Sequence, residues 1–175
     1  MSLLSHLPSS HSRTFLRGAL VKKKYPLNAV TQRPMAMYHS WDSQNAWLRQ
    51  IHTHNYLFVN PKTAKAEDIA DGDWVWIESP WGKVRGMYRN SEATEPGTVW
   101  TWNAIGKQPG AWNLEPRANE ARKGFILNHL ITDELPPQPE GRHLSNSDPV
   151  TGQAGWYDVR VRIYKADPSE EKVTM

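Results

Sequence analysis

The sequence predicts a mainly β protein, a small closed β-barrel that carries a few short helices. Three observations favour this fold class. First, Gly, Pro, Asp and Asn separate about six or seven short runs with strand character. Second, the runs Trp-Val-Trp-Ile and Val-Trp-Thr-Trp are almost wholly apolar, which is typical of strands covered on both faces. Third, strands and helices do not alternate regularly, so nothing favours a doubly wound sheet.

The N-terminal half contains most of the predicted elements. A strand over 25–32 begins near Pro26, which is permitted at the start of a strand. A helix over about 43–51 takes Ser40 or Asp42 as its N-cap. The remaining elements of this half are a strand at 56–60, a helix opened by proline at 61–69, and a hairpin at 70–90.

The C-terminal half is less regular. A strand is predicted over 96–106, followed by a helical or mixed segment at 117–135 and an exposed loop at 136–149. The last strand, 156–165, alternates cleanly between apolar and polar residues. Its alternation points three side chains inward, Val159, Val161 and Ile163, and two outward, Arg160 and Arg162.

The chain of 175 residues suits one domain with tails. We predict a flexible basic leader at 1–24, a barrel domain at 25–166 and a disordered tail at 167–175. The leader does not have the charge order of a secretory signal, so we expect a cytoplasmic location, or a periplasmic one within an exported complex. No apolar run approaches the roughly 20 residues of a membrane span, so direct membrane insertion is not expected.

Composition narrows the chemistry. The chain has no cysteine, which excludes disulfides, thiolate zinc sites and a cysteine-held iron–sulfur cluster within it. His52 and His54 can begin a metal site, but no third ligand follows at a recognisable spacing. The segment His-Ser-Trp-Asp-Ser at 39–43 holds triad residue types without the separation that a triad usually has. We therefore predict no catalytic residues and no metal ligands.

A site for an anion is better supported. The predicted strand ends at Thr31-Gln32-Arg33, and the predicted helix begins near 40–43, so amide N–H groups and an arginine can meet a phosphate there. Tryptophan adds a flat face for a planar ligand. These features describe a phosphorylated, planar, polar ligand such as a nucleotide or dinucleotide. The alternative is that the same polar side chains form hydrogen bonds with backbone groups of their own loops and bind no ligand.

Five motifs appear in a familiar order. Thr-Gln-Arg stands where Thr/Ser-Gly-Arg is common, and Met-Tyr-His-Ser-Trp-Asp-Ser-Gln-Asn stands at a His-Ser/Thr segment. The stretch 59–84 contains Asn-Pro-x-x-Ala, Asp-Gly-Asp and Ser-x-x-Gly in register. Pro-Gly-Thr-Val-Trp and Asn-His-Leu complete the set. Over about 25–164 the chain resembles the C-terminal molybdopterin-dinucleotide-binding domain of the dimethyl sulfoxide reductase superfamily of molybdopterin oxidoreductases. Within that superfamily, its sequence looks most similar to sulfite dehydrogenases and to thiosulfate or polysulfide reductases.

This resemblance implies a double-psi β-barrel of the aspartate-decarboxylase-like kind. It also implies a ligand, the bis(molybdopterin guanine dinucleotide) cofactor with molybdenum or tungsten. Three parts of the chain would hold that ligand: a first loop, a second segment and a set of closing residues. The implied cofactor-binding residues are Thr31, Gln32, Arg33, His39, Ser40, Trp41, Ser43, Gln44, Asn45, Asn103, Lys107 and Asn128.

Departures from the family limit what the chain does alone. Gln32 replaces the usual glycine of the first loop, and catalytic subunits of the family are several times longer. The resemblance therefore implies a component that is not catalytically complete, with the remaining domains or subunit of an oxidoreductase as partner, and an iron–sulfur electron-transfer subunit as a further one. A standalone nucleotide-binding or assembly module is the alternative. A nucleic-acid binder using Lys22–Lys24 is the disfavoured third hypothesis.

Overall fold

The computed structural model describes residues 20–43, 45–103, 115, 119, 123–132, 147–148, 150–153 and 159–167. Six strands form a closed barrel within these residues. The strands are β1 Leu27–Gln32, β2 Tyr56–Val59, β3 Trp74–Glu78, β4 Lys83–Asn90, β5 Thr98–Trp102 and β6 Arg160–Lys165. The predicted mainly β fold with a closed barrel is confirmed.

The barrel is a mixed sheet with the strand order β1, β5, β2, β4, β3, β6. Two pairs, β1 with β5 and β2 with β4, are parallel, and the other four pairs are antiparallel. Because β2 runs antiparallel to β5, the two parallel pairs finish at opposite ends of the barrel. We call these the β5 end, where β1 and β5 finish, and the β2 end, where β2 and β4 finish.

The core lies inside the barrel. Alternate strand residues point inward, and six apolar ones are fully buried: Leu57, Val59, Val75, Ile77, Val99 and Val161. In the other strands their alternation with more exposed neighbours follows the two-residue period of a strand. In β3 the intervening Trp76 is buried as well, as the apolar run Trp-Val-Trp-Ile predicted. The inward direction of Val159, Val161 and Ile163, predicted from the sequence, is confirmed. Removal of this apolar surface from water is the main stabilising term of the fold.

The expectation for Val-Trp-Thr-Trp was wrong. In β5 only Val99 and Thr101 are buried, and the neighbouring Trp100 and Trp102 lie half-buried on the outside of the barrel. There Trp100 stacks on Phe58, with ring centroids 4.0 Å apart and planes 12° apart. Tryptophan is apolar enough to mimic an inward residue in the sequence, yet here it packs against other outward-facing rings.

The helices are short. The structure contains α1 Ala46–Ile51, α2 Pro61–Ala66 and 3-10 helices at His39–Asp42 and Leu127–Leu130. The predicted helix over 43–51 therefore starts later, and its N-cap is Asn45 rather than Ser40 or Asp42. Of the segment predicted as helical or mixed at 117–135, the described part contains only a 3-10 turn. In the part that the structure describes, no helix has the length and apolar character needed to cross a membrane.

Several predictions fall outside the described residues. Residues 1–19 of the predicted leader and 168–175 of the predicted tail are not described, while residues 20–24 form a helical turn. The loop predicted at 136–149 is described only at 147–148. The three predicted domain boundaries therefore remain predictions.

Candidate functional site

The first predicted loop and Asn103 meet at the β5 end. Gln32 of β1 lies beside Trp102 of β5 in parallel register. The next residue after Trp102 is Asn103, whose backbone N–H donates to the Gln32 carbonyl at 2.8 Å. Parallel strands finish at the same edge, so the loop that begins at Thr31 and continues to Arg33 lies next to Asn103. Gln32 and Arg33 are exposed.

His39 joins this group through Asn103. The side-chain nitrogen of Asn103 lies 3.2 Å from Nδ1 of His39, so the amide donates to the ring when Nδ1 is unprotonated. His39 has a φ of 48°, in the left-handed region that side-chain-bearing residues rarely adopt. Asp42 fixes this turn, because its Oδ2 accepts the backbone N–H of Tyr38 at 2.7 Å. Strained backbone of this kind often occurs at functional sites.

Asn103 is left with an unused acceptor. Its Oδ1 atom is buried and has no hydrogen-bond partner among the described residues. An unsatisfied buried carbonyl oxygen costs free energy, so such an atom usually serves a ligand or a bound water. With Nδ2 directed at His39, Oδ1 is positioned to accept a hydrogen bond from a ligand N–H or O–H.

Asn55 is a site-building residue that the sequence analysis missed. It lies just before β2 and is only 2% exposed. Its Nδ2 donates to the carbonyls of Trp102 and Phe125, both at 3.0 Å, and its Oδ1 accepts from Thr101 at 2.8 Å. Its partners are 46 to 70 residues away in the chain, so no local sequence signal identifies it. Asn55 therefore ties the end of β5 to the segment 123–130.

That segment carries Asn128 to the same end of the barrel. Asn128 is exposed in the 3-10 helix Leu127–Leu130, which lies against the turn between β3 and β4. A Cβ added to Gly82 of that turn would lie 2.5 Å from the backbone carbonyl oxygen of His129. Glycine is therefore required there, because the turn and the 3-10 helix are in close contact.

One part of the predicted phosphate site is not supported. The sequence predicts a helix start near 40–43, with free N–H groups for an anion. In the structure α1 starts at Ala46, and Oδ1 of Asn45 accepts the N–H groups of Trp47 and Leu48 at 3.0 and 3.3 Å. Asn45 thus satisfies the amides that were expected to bind phosphate. Because Oδ1 of Asn45 takes part in this cap, Nδ2 is the side-chain atom of Asn45 that is left for its predicted role in cofactor binding.

The other predicted site residues have different environments. Trp41 is 75% exposed, whereas Ser43 is buried and its carbonyl accepts from Nη1 of Arg49 at 3.4 Å. For Ser40 only the backbone is described, and Gln44 and Lys107 lie outside the described residues. The structure therefore brings together the first loop, His39, Asn103 and the segment of Asn128 at one end of the barrel.

The alternative metal site finds no support in the geometry. His52 packs edge-on against Trp102, with centroids 5.4 Å apart, and His54 stacks on Tyr56 at 5.6 Å. Both histidines precede β2, so they do not share the strand face that the spacing suggested. Within the described ranges no group of three His, Asp or Glu side chains is arranged to hold a metal ion.

The fold and this end of the barrel define a class: a β-barrel domain with polar side chains grouped in the loops at one end. Comparison with known families identifies the class. Residues 27–146 match the family described as "Molydopterin dinucleotide binding domain". The chain belongs to this family of molybdopterin-dinucleotide-binding domains, and the resemblance inferred from the sequence is confirmed.

Two curated proteins and one solved structure are similar to this chain. It is 73% identical over 152 residues to a sulfite dehydrogenase subunit of Allochromatium vinosum, covering 87% of this chain and 16% of that protein. It is 33% identical to dopamine dehydroxylase of Eggerthella lenta, covering 83% of this chain and 13% of that protein. The solved structure of acetylene hydratase from Pelobacter acetylenicus shares the fold, with a TM-score of 0.64, 19% identity, and coverage of 86% of this chain and 20% of that one. The chain thus spans under a fifth of these two curated relatives' length.

Proposed function

We propose that the chain binds the guanine dinucleotide form of the molybdopterin cofactor as the C-terminal part of a molybdenum or tungsten oxidoreductase that acts on sulfur oxyanions. The narrow relationship to a sulfite dehydrogenase favours this substrate class. The observation that carries the binding proposal is the buried Oδ1 of Asn103, which has no partner among the described residues and lies beside the exposed loop that contains Arg33.

The residues present fit this cofactor. Molybdopterin guanine dinucleotide combines a diphosphate with fused rings whose edges carry N–H donors. The guanidinium of Arg33 suits the diphosphate, because its planar donors match phosphate oxygens. Oδ1 of Asn103 suits an N–H on a ring edge, and the exposed face of Trp41 suits ring stacking. When bound, the cofactor supplies the metal centre for oxygen-atom or electron transfer.

The remaining roles of this chain are positional. Asn103 and His39 fix one another, so the acceptor at Oδ1 keeps one direction. Asn55 holds the segment of Asn128 against the end of β5. The partner in this proposal is the rest of the catalytic subunit, together with an iron–sulfur electron-transfer subunit, as the family resemblance implies.

The test uses the 73% identity to the Allochromatium protein. In a hybrid protein, this chain replaces the matched segment of that relative. The hybrid is purified and its bound guanine nucleotide is measured after acid release. A charge-assisted contact contributes about 1.5–3 kcal/mol. We therefore expect Arg33→Ala to weaken cofactor retention by about tenfold to a hundredfold. The matched control is Arg89→Ala, which removes an exposed arginine near the β2 end.

Three outcomes decide the proposal. Guanine in the wild-type hybrid, with a loss in Arg33→Ala and none in Arg89→Ala, supports it. A wild-type hybrid that is folded by circular dichroism but holds no guanine contradicts it. If Arg33→Ala and Arg89→Ala retain equal amounts of guanine nucleotide, Arg33 does not contact the cofactor. Asn103→Ala then tests the remaining binding residue.

A further inference from the structure

Trp81 lies in the turn between β3 and β4, and it is 50% exposed. Strand β4 finishes at the β2 end, so the turn from which β4 starts lies at the β5 end. This is the end of the barrel where the first loop, His39 and Asn103 meet. A large flat side chain is therefore exposed at the end that carries the candidate site.

The backbone of this turn is fixed by Ser79. Its Oγ accepts the N–H groups of Trp81 at 3.1 Å and of Gly82 at 3.3 Å, and its own N–H donates to the Gly82 carbonyl at 2.9 Å. Ser79 is only 3% exposed, so water competes little for these bonds. The backbone of Trp81 therefore has a defined position before a ligand binds, which lowers the entropic cost of binding on its ring.

The same turn is packed against the segment of Asn128. The close approach of Gly82 to the backbone carbonyl of His129 leaves no space for a side chain at position 82. His129 follows Asn128 in the 3-10 helix, and Trp81 precedes Gly82 in the turn. This contact therefore places Trp81 beside the segment that carries Asn128, one of the residues predicted to bind the cofactor.

The family motif does not account for Trp81. The pattern Ser-x-x-Gly includes Ser79, which holds the turn, and Gly82, which permits the contact with the 3-10 helix, but it leaves position 81 open. The resemblance therefore implies no role for this ring. Tryptophan combines a large flat face with one N–H donor, a combination that suits a planar ligand with polar edges.

We infer that the Trp81 ring is a stacking surface for a fused 2-amino-oxo-pyrimidine ring of the bound dinucleotide, an inference that rests on the proposed function. Guanine and the pterin share this ring chemistry. Trp41, the ring that the proposed function already uses, is 75% exposed and lies in the connection between β1 and β2. Two flat faces in different connections at one end of the barrel suit a ligand with two separate ring systems.

Hydroxyl-radical footprinting, read by mass spectrometry, measures the exposure of Trp81 in the hybrid protein described above. Its oxidation rate is compared between hybrid loaded with cofactor and hybrid produced in cells that make no molybdopterin. We expect the rate to fall by about threefold or more on loading, because stacking covers the exposed face of the ring. The matched reference is Trp74, which is half-buried at the start of β3 at the β2 end and should not change.

A third sample distinguishes the two rings. GDP, which contains guanine and no pterin, is added to the cofactor-free hybrid. Protection of Trp81 by GDP assigns the stacked ring as guanine, whereas protection in the loaded hybrid alone assigns it as the pterin. An oxidation rate of Trp81 that is the same in all three samples overturns the inference.

Substitution gives a second measurement, the guanine nucleotide that the purified hybrid retains. Trp81→Ala should lower retention by about fivefold to a hundredfold, as expected for loss of one stacked ring. Trp81→Ile keeps apolar bulk without a flat face and should lose as much. Trp81→Phe keeps a flat ring and should stay within about threefold of the wild type. The melting temperature of the 175-residue chain should be similar in all three variants, because the ring is half exposed.

The outcomes separate this inference from the proposed function. A loaded wild-type hybrid with equal retention in Trp81→Ala overturns the inference and leaves the proposed function standing. Equal losses in Trp81→Phe and Trp81→Ala, with lowered melting temperatures in both, also overturn it, because Trp81 then stabilises the turn. A folded wild-type hybrid that holds no guanine refutes the proposed function and this inference with it.

Discussion

Two six-residue helices with asparagine caps occupy opposite ends of the barrel, and they differ in how they pack on it. At the β2 end, Asn60 caps α2 by accepting the N–H of Lys62 at 2.9 Å, and its Nδ2 donates to the Thr94 carbonyl at 2.7 Å. The same helix buries Ala64 against the core. This connection between β2 and β3 is therefore part of the barrel's own folding unit.

The connection between β1 and β2, at the β5 end, is built differently. The side chain of Asn45 bonds to the first turn of α1, and that helix buries none of its residues. The connection rejoins the barrel at Asn55, which is almost fully enclosed. The contrast shows that similar caps have different consequences: α2 adds a residue to the core of this chain, whereas α1 adds none.

The largest effect on stability is expected at Asn55, where the connection between β1 and β2 rejoins the barrel. Asn55→Ala leaves the carbonyls of Trp102 and Phe125 without this donor and the hydroxyl of Thr101 without this acceptor. Each buried polar group left unsatisfied costs about 1–3 kcal/mol, so we expect a loss of about 3–5 kcal/mol in the free energy of unfolding. Urea unfolding of the 175-residue chain measures it.

Thr53→Ala is the control for this experiment, because Thr53 is exposed in the same connection. It should change stability by less than about 0.5 kcal/mol. If Asn55→Ala also costs less than about 1 kcal/mol, the bonds of Asn55 do not anchor the connection, and the contrast between the two ends of the barrel is weaker than the geometry indicates.

The second prediction compares the two caps directly. Asn60→Ala removes both a cap and a buried bond, so we expect a loss of about 2–3 kcal/mol. Asn45→Ala removes a cap from a helix that supports no core, so the global loss should be below about 0.5 kcal/mol, with only local fraying of α1. Urea unfolding gives the global values, and amide hydrogen exchange detects the fraying.

Asn60→Ser separates the two contributions at the β2 end, since serine can cap a helix but does not reach the Thr94 carbonyl as asparagine does. It should recover about 1 kcal/mol relative to Asn60→Ala. Equal losses for Asn45→Ala and Asn60→Ala would show that α1 and α2 are equally coupled to the core, contrary to the comparison.

The sequence predicted the barrel because strand periodicity is local. The alternation in β6 and the turn residues around Gly82 can be identified within a few positions of one another. The β5 tryptophans were misplaced because an apolar side chain does not indicate whether it faces a core or an outer aromatic cluster. The start of α1 was misplaced because Ser, Asp and Asn all cap helices, and four such residues lie close together in 40–45.

The site was predicted as a set of residues but not as a geometry. The end of the first predicted strand supplied Arg33, and family motifs supplied His39 and Asn103. Parallel pairing of β1 with β5 explains why the loop of Arg33 meets Asn103, and a side-chain contact joins Asn103 to His39. Asn55 could not be found in this way, because its bonds join residues that are far apart in the chain. A buried asparagine before a strand has the same local sequence signal as an ordinary turn residue.

The smallest effect on stability is expected at Asp73, at the end of the connection between β2 and β3. The hydrogen bond from Lys165, at 2.9 Å, is the main cause that lowers the pKa of Asp73 below its ordinary value of 3.8, and the N–H of Ala70 adds to it. A lowered folded-state pKa contributes stability that is fully present above pH 3.8 and is lost as the pH falls through the folded pKa. Because the pair is partly exposed, we expect no more than about 1 kcal/mol.

Asp73→Asn should therefore lower the free energy of unfolding at neutral pH and lose that difference as the pH falls through the lowered pKa of Asp73, where the wild-type carboxylate becomes protonated. Urea midpoints across this pH range measure the change. Lys165→Met is the matched variant, because it removes the main cause of the pKa shift while it keeps the carboxylate and its bond from Ala70. It should flatten the pH dependence in part. A deficit in Asp73→Asn that is as large at low pH as at neutral pH would mean that Asp73 stabilises the connection through hydrogen bonding that asparagine cannot reproduce, with no contribution from its charge.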